Sequence, residues 1–426
     1  MLRAILAAFL PLITSLTVFA QERTPTTAAE CRSLLESSIV DFYLPHCIDQ
    51  QFGGYLENVN DKGEFLGEEK FLTLQARQVW FFSSLAKAGI RTKESLAAAL
   101  TGYQFLIQHF QDQRHGGYFT KVTRDGRPID RRKHVYPLSF VIYSLVAYSE
   151  ASGDPEPLDQ AIALFQVLET HCHDQQHGGY TEFFYEDWRE ITDENESGYI
   201  GAIGTKTYNS HLHLLEAFTS LYRSSGDETV RERLLELVQI NTVSVKHPNV
   251  ACNLDGWNPD WSMIRTPKNL RASYGHDVEC VWLVLDAAQA LGMPPAMLRG
   301  WATGLTDNAL EYGFDEEHGG LFYTGPLSKP SDDRKKEWWT QSEALVALLT
   351  MQQFTGDRKY REAFDRTFDF VTTYQIASQG GWWATLNPDG SLVEHPSRSS
   401  MWHGAYHNGR ALLLCEQLLR NAEPTP

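Results

Sequence analysis

A glycine turn followed by a large apolar residue returns six times along this chain. The copies are Phe52-Gly53-Gly54-Tyr55, His115-Gly116-Gly117-Tyr118, His177-Gly178-Gly179-Tyr180, Asp255-Gly256-Trp257, His318-Gly319-Gly320-Leu321 and Gly380-Gly381-Trp382. Their spacing is about 60 to 65 residues, with one interval near 77. Self-similarity at such a period marks repeated supersecondary units, none of which buries its apolar face alone. Between the turns lie stretches such as Leu158, Ile162, Leu164, Phe165 and Leu168, apolar at helical intervals. Each repeat has room for two helices, punctuated by Gly89, Gly153, Gly226 and Gly356. A short β-like run can follow a turn, as Tyr118 to Val122 does before Asp125-Gly126.

Six helical hairpins of this kind close into a toroid. The expected fold is therefore all-α: an (α/α)6 barrel with short β-hairpin loops at the funnel rim, its inner helices lining the funnel and the aromatic loops rimming it. An open solenoid is the second architecture, but the number six and the lack of a polar capping repeat favour closure. No Pro-, Gly- or Ser-rich linker divides the chain, so residues 21–426 read as a single domain.

Residues 1–20 read as a secretory signal peptide: Arg3 precedes an apolar run to Ala20, with cleavage expected after Ala20. The run is short for a bilayer span and contains Pro11, so no membrane association is expected once it is removed. The destination is periplasmic or extracellular. Export permits disulfides, yet Cys31, Cys47, Cys172, Cys252, Cys280 and Cys415 lack paired spacing and read first as buried thiols. A formal charge of -17 without a basic run argues against nucleic acid and leaves room for a neutral partner. Eleven Trp suit stacking on sugar rings, although aromatics more often fill a core.

Several helical stretches carry polar groups that packing does not require. Asn209 and His213 are four apart on one helix face. His276 and Glu279 are one turn apart, with Trp282 a turn further on. Trp339 and Glu343 pair a stacking surface with an acceptor, and Trp402 and His407 stand just before the last apolar helix. Arg77 sits in an otherwise largely apolar helix, a costly place for an unpaired charge; a structural salt bridge and a functional role fit it equally.

Taken in order, His-Asp-x-Glu with Trp three further on, Trp-Trp-x-Gln-x-Glu and Tyr-His-Asn-Gly-Arg-Ala resemble the N-acylglucosamine 2-epimerase superfamily, in particular its cellobiose 2-epimerase branch. The resemblance runs through most of the chain and implies an (α/α)6 barrel, in agreement with the repeat count. It implies that His276 and His407 are the catalytic acid/base pair, with Arg77 and His213 also catalytic. Asn209 and Glu279 would hold the sugar, and Trp282, Trp339, Glu343 and Trp402 would place a disaccharide. One departure is Ala405, where the branch pattern has Pro before the Tyr.

The implied reaction interconverts reducing-end glucose and mannose in β-1,4-linked disaccharides. Ring opening acidifies the C2 hydrogen, and two bases on opposite faces exchange it through a cis-enediolate. Histidine, with an ordinary pKa of about 6.5, both takes and returns a proton near neutrality. Which histidine does which stays open; Glu279, a turn from His276, is placed to fix its tautomer. No metal is expected, since carboxylates are few and zinc-type spacing is absent. No cofactor is expected either, as there is no glycine-rich phosphate loop after a strand. The partner is a small oligosaccharide, and a monomer is favoured. Three alternatives remain: an aldose–ketose isomerase using the same enediolate, a glycoside hydrolase on a similar barrel, and a non-catalytic sugar-binding protein.

Overall fold

The computed structural model describes residues 25–422; the expected leader at 1–20 and the last four residues lie outside them. The helices pair along the chain. After α1 (Ala28–Leu34) come α2 (Leu72–Lys87) with α3 (Thr92–Phe105), α4 (Val135–Ser152) with α5 (Glu156–His171), and α6 (Tyr208–Ser225) with α7 (Glu228–Gln239). They are followed by α8 (Tyr274–Ala290) with α9 (Arg299–Gly313), α10 (Trp338–Thr355) with α11 (Arg358–Phe370), and α12 (Tyr406–Ala422).

Helices α2, α4, α6, α8, α10 and α12 form the inner ring; each packs on the next, and α12 returns to α2. Helix α1 packs on α12, so the sixth hairpin joins the first described helix to the last. The ring is closed, and the fold is an (α/α)6 barrel rather than a solenoid.

The two rings differ in the way their sequences require. Outer helix α11 buries Tyr360, Ala363, Phe364 and Phe368 on one stripe and leaves most of its charges outside. Inner helix α4 is covered on both sides, and its residues from Val135 to Ile142 are all buried. The punctuating glycines Gly153, Gly226 and Gly356 end inner helices in the left-handed conformation. Asp227 and Asp357 then cap the following helices through backbone N–H groups.

The glycine turns share a device that charge pattern alone does not reveal. Four residues before the first glycine stands an aspartate, Asp49, Asp112, Asp174 or Asp315, whose carboxylate accepts the next backbone N–H groups. A lysine two residues before an inner helix pairs with it: Lys70 at 3.0 Å, and Lys133, Lys206 and Lys336 at 2.7 Å. Each lysine also donates to the first glycine's carbonyl at 2.6 Å. Both glycines of Gly116-Gly117 have positive φ, which explains the pair.

The loops rim the funnel as expected, but their turn side chains point away from it, and one turn is corrected. The aromatics do not edge the funnel: Tyr55, Tyr180 and Trp382 are wholly buried, and the Tyr55 hydroxyl donates to the Ala98 carbonyl of an outer helix at 2.8 Å. The fourth turn is also displaced. The bridge from Lys246 to Asn253 matches those from Gln111 to Tyr118 and from His173 to Tyr180, so Ala251-Cys252 takes the glycine places. Asp255 therefore directly precedes the strand Gly256–Trp257.

Short antiparallel pairs tie the entry of one inner helix to the turn of the next repeat, as Lys133–His134 pairs with Phe183–Phe184 and Lys206–Thr207 with Gly256–Trp257. All inner helices thus begin at the same end of the ring, where these pairs form the rim. The six cysteines are buried and free. Among the described residues no helix is long and apolar enough to cross a membrane.

Candidate active site

The first turns of the inner helices converge on a cavity of about 490 Å³. Its wall holds Arg77 from α2, Tyr136 from α4, Asn209 and His213 from α6, His276 and Glu279 from α8, Trp338 and Trp339 from α10, and His407 from α12. Trp402 comes from the loop before α12. Helix starts carry unpaired N–H groups and partial positive charge, so the arrangement favours negative charge at the floor.

Eight of the ten residues singled out by sequence line this cavity. Trp282 and Glu343, expected against the sugar, do not. They are buried behind the wall and bonded to each other. There the Trp282 indole N–H donates to Glu343 at 3.0 Å, and Glu343 accepts from His407 Nδ1 at 2.7 Å.

His276 and His407 both pack on the Trp339 ring, at 4.6 and 6.0 Å between centroids, and both open on the same cavity. Their second nitrogens are held differently. His407 has a carboxylate behind it, whereas His276 Nδ1 meets the Ser273 hydroxyl at 3.0 Å. Glu279 does not fix the His276 tautomer, as its carboxylate is bound to Arg410 instead. Burial lowers His276 to about 3, with His213 nearby adding to the effect. Burial, with Arg77 and Arg410 close by, lowers His407 well below its ordinary value. Both imidazoles are therefore neutral at pH 7.

Arg77 is buried, donates to the Tyr136 hydroxyl at 2.7 Å and to the Trp402 carbonyl at 3.3 Å, and lies over the Phe140 ring at 4.2 Å. Among the described residues it has no carboxylate partner, which sets aside the structural salt bridge. An uncompensated guanidinium on a cavity wall is matched to an anion formed there. Asn209 Oδ1 is likewise buried without a partner.

Beneath the wall lies a network that the sequence reading missed. Arg410 bonds Glu216 and the Tyr406 hydroxyl, and reaches Glu279 and Glu343 at 2.8 Å each. Glu216 also meets His213 Nδ1 at 3.0 Å. Burial opposes the charge on Glu216, but Arg410 and His213 outweigh it and hold the group at about 2. Burial and the neighbouring Glu343 raise Glu279 well above the carboxylate range. Glu279, Glu343 and His407 present ligand atoms within 4.8 Å of one another, the grouping a cation would use. The Arg410 guanidinium already bridges those two carboxylates. The helical spacings His213 to Glu216 and Tyr406 to Arg410 were the available signal.

The outer cavity adds Tyr199, Ile200, Asp255, Tyr323 and Glu337. Tyr199 comes from the long loop of the third repeat and crosses to Thr73 at 3.1 Å and to the Trp402 ring at 5.0 Å. The departure at Ala405 also has a structural consequence: its N–H donates to Gln78 Oε1 at 3.1 Å, a bond proline cannot make.

An all-helical toroid whose inner helix starts surround a histidine-, arginine- and tryptophan-lined funnel defines a class of sugar-converting barrels. The model of the N-acylglucosamine 2-epimerase family matches residues 54–410, and the chain belongs to that family. It is 30% identical over 402 residues to a cellobiose 2-epimerase of Bacteroides fragilis, covering 92% of this chain and 98% of the relative. A cellobiose 2-epimerase of Ruminococcus albus is also 30% identical, covering 90% of this chain and 96% of the relative. The solved cellobiose 2-epimerase of Spirochaeta thermophila superposes with a TM-score of 0.82 at 30% identity, over 92% of this chain and 96% of that one. The chain is accordingly a carbohydrate epimerase, an isomerase.

Proposed function

We propose that the protein interconverts glucose and mannose at the reducing end of a β-1,4-linked disaccharide of the cellobiose or mannobiose type. The observation that carries this reading is the placement of His276 and His407 on one cavity, both packed on the Trp339 ring. The relatives named above support the substrate class.

In the open-chain sugar the C1 carbonyl acidifies the C2 hydrogen. One neutral imidazole removes it, the electron pair passes into a cis-enediolate, and the other imidazole, after taking a proton from solvent water, delivers it to the opposite face while the first releases its own to solvent. Arg77, lacking a carboxylate of its own, stabilises the enediolate oxygens, with Asn209 and His213 beside it. Glu343 stabilises the imidazolium of His407 through the Nδ1 bond. Trp339 and Trp402 present ring faces to the sugar. The conversion is redox-neutral and moves only protons, so it balances without a cofactor.

Incubation of the purified protein with cellobiose and with mannobiose in D₂O, followed by NMR, tests the reading. Epimer formation with solvent deuterium at C2 is expected. A ketose as main product, cleavage of the glycosidic bond, or binding without deuterium incorporation would each replace it. We further propose export with cleavage after Ala20; a mature protein whose N-terminal sequence begins at Met1 would contradict that.

A further inference from the structure

We propose that Asp255 is the acid/base group that opens the sugar ring. The assignment rests on the epimerase reading above and adds the step that the histidine pair leaves unserved. Before C2 can be deprotonated, the hemiacetal must lose the O1 proton and gain one on O5. These two oxygens are borne by one carbon, so a single carboxyl group with its two oxygens spans both.

Three carboxyl groups line the cavity. Glu279 is bound to Arg410, and both oxygens of Glu337 accept from the Thr385 hydroxyl, at 2.9 and 3.0 Å. Asp255 is the most exposed of the three, and among the described residues it has no ion-pair partner. Its place in the repeat sharpens the contrast. Glu182 stands at the same position one unit earlier, two residues after the bridge and directly before the strand. Glu182 is enclosed, and its carboxylate takes the Thr207 and Ser210 hydroxyls. Asp255 keeps the backbone part of that role, accepting the Tyr208 N–H on its carbonyl at 2.7 Å, but its carboxylate faces the funnel beside the N–H of Asn209. The Tyr208 hydroxyl donates to the His276 carbonyl at 2.9 Å, so the joint between α6 and α8 carries both Asp255 and His276.

The surrounding funnel wall thins the water around this otherwise accessible carboxylate and raises Asp255 to about 6, against the Asn209 N–H and the more distant charge of Lys268. Glu182 and Tyr323 are the further titratable neighbours. The group is thus a carboxylate at pH 7 that accepts a proton readily. In the step it takes the O1 proton as C1=O1 forms and the C1–O5 bond breaks. It then returns that proton to O5, leaving the aldehyde, the 5-hydroxyl and the original carboxylate.

Ring opening is read separately from epimerisation by the rate at which freshly dissolved cellobiose equilibrates its anomers, followed by polarimetry. The wild type is expected to accelerate this exchange, and His407→Gln to keep the acceleration while losing deuterium incorporation at C2. Asp255→Asn is expected to lose the acceleration and to epimerise about 100-fold or more slowly, with KM within a few-fold. In the His407→Gln protein the acceleration should fade as pH falls through about 6. The assignment is overturned if Asp255→Asn accelerates like the wild type, if Glu337→Gln loses the acceleration instead, or if an epimerising wild type leaves anomer exchange at its spontaneous rate. Should Asp255→Asn fail to melt cooperatively, the pH profile decides, and a profile flat through 6 refutes the proposal. A wild type that accelerates anomer exchange but never labels C2 would instead remove the epimerase reading and leave this one standing.

Discussion

Glu343 touches no part of the cavity, yet its bond to His407 makes it the residue most able to separate positioning from sugar binding. In Glu343→Gln the amide no longer stabilises the imidazolium, so kcat should fall about 10- to 100-fold with KM for cellobiose nearly unchanged. Trp339→Ala should show the opposite split, with KM rising first; steady-state kinetics distinguish them. His403 offers a pH test. It is fully buried, stacks on Trp338 at 4.1 Å, has no partner on either ring nitrogen, and is lowered to about 3 by burial. The unfolded chain protonates this group near its ordinary pKa of about 6.5, whereas the folded chain does so only near 3. Its contribution is therefore complete above about 6.5 and is lost as pH falls toward 3. Between pH 6.5 and 5 the loss amounts to about 2 kcal/mol, so His403→Phe, which keeps the stack, should melt with a shallower acid dependence over that range. Equal slopes in the two proteins would show that His403 does not set the acid dependence.

The lysine-capped turn is the element from which the ring is assembled, and its energetics are those of a buried ion pair with one partner removable. Lys133→Met leaves the Asp112 carboxylate and the Gly116 carbonyl without their donor in a site where Lys133 is almost wholly enclosed. The expected cost is about 3 to 5 kcal/mol, read as a lower urea midpoint with an unchanged slope. A shift below 1 kcal/mol would mean that water replaces the ammonium. These turns also show what sequence pattern conveys and what it does not. Five of the six hairpins were legible because paired glycines at positive φ are demanded by the backbone itself. The lysines were not, since an isolated Lys two residues before a helix looks like any solvated charge. The fourth turn was misplaced by a few residues because Ala251-Cys252 carries no glycine, and Gly256 offered a false register. At the site, residues on helix starts were readable from local spacing. The network of Glu216 and Arg410 was not, because its members are separated by up to 194 residues and meet only when the ring closes.

Closure itself rests on the sixth hairpin, whose outer helix is contributed by the opposite end of the chain from its inner one. Cys31, Leu35, Ile39 and Val40 are wholly buried, and Arg32 bonds Glu416 of α12 at 3.2 Å. Burial of a side chain of this kind stabilises by about 1.5 to 3 kcal/mol, so the segment supplies on the order of 6 to 12 kcal/mol. That is comparable with the whole stability of a typical domain, about 5 to 15 kcal/mol. The half-buried Arg32–Glu416 pair adds little beside it. A chain starting at residue 41 should therefore lack a cooperative melt, and His407, at the start of the uncovered α12, should lose its register against Trp339. Adding a peptide of residues 25–40 in trans should restore both the melt and C2 labelling, because the contacts it makes need proximity and no covalent link. A truncated chain that melts like the full one and still labels C2 would mean that the other five hairpins hold α12 unaided, and that closure by the first helix is incidental to the site.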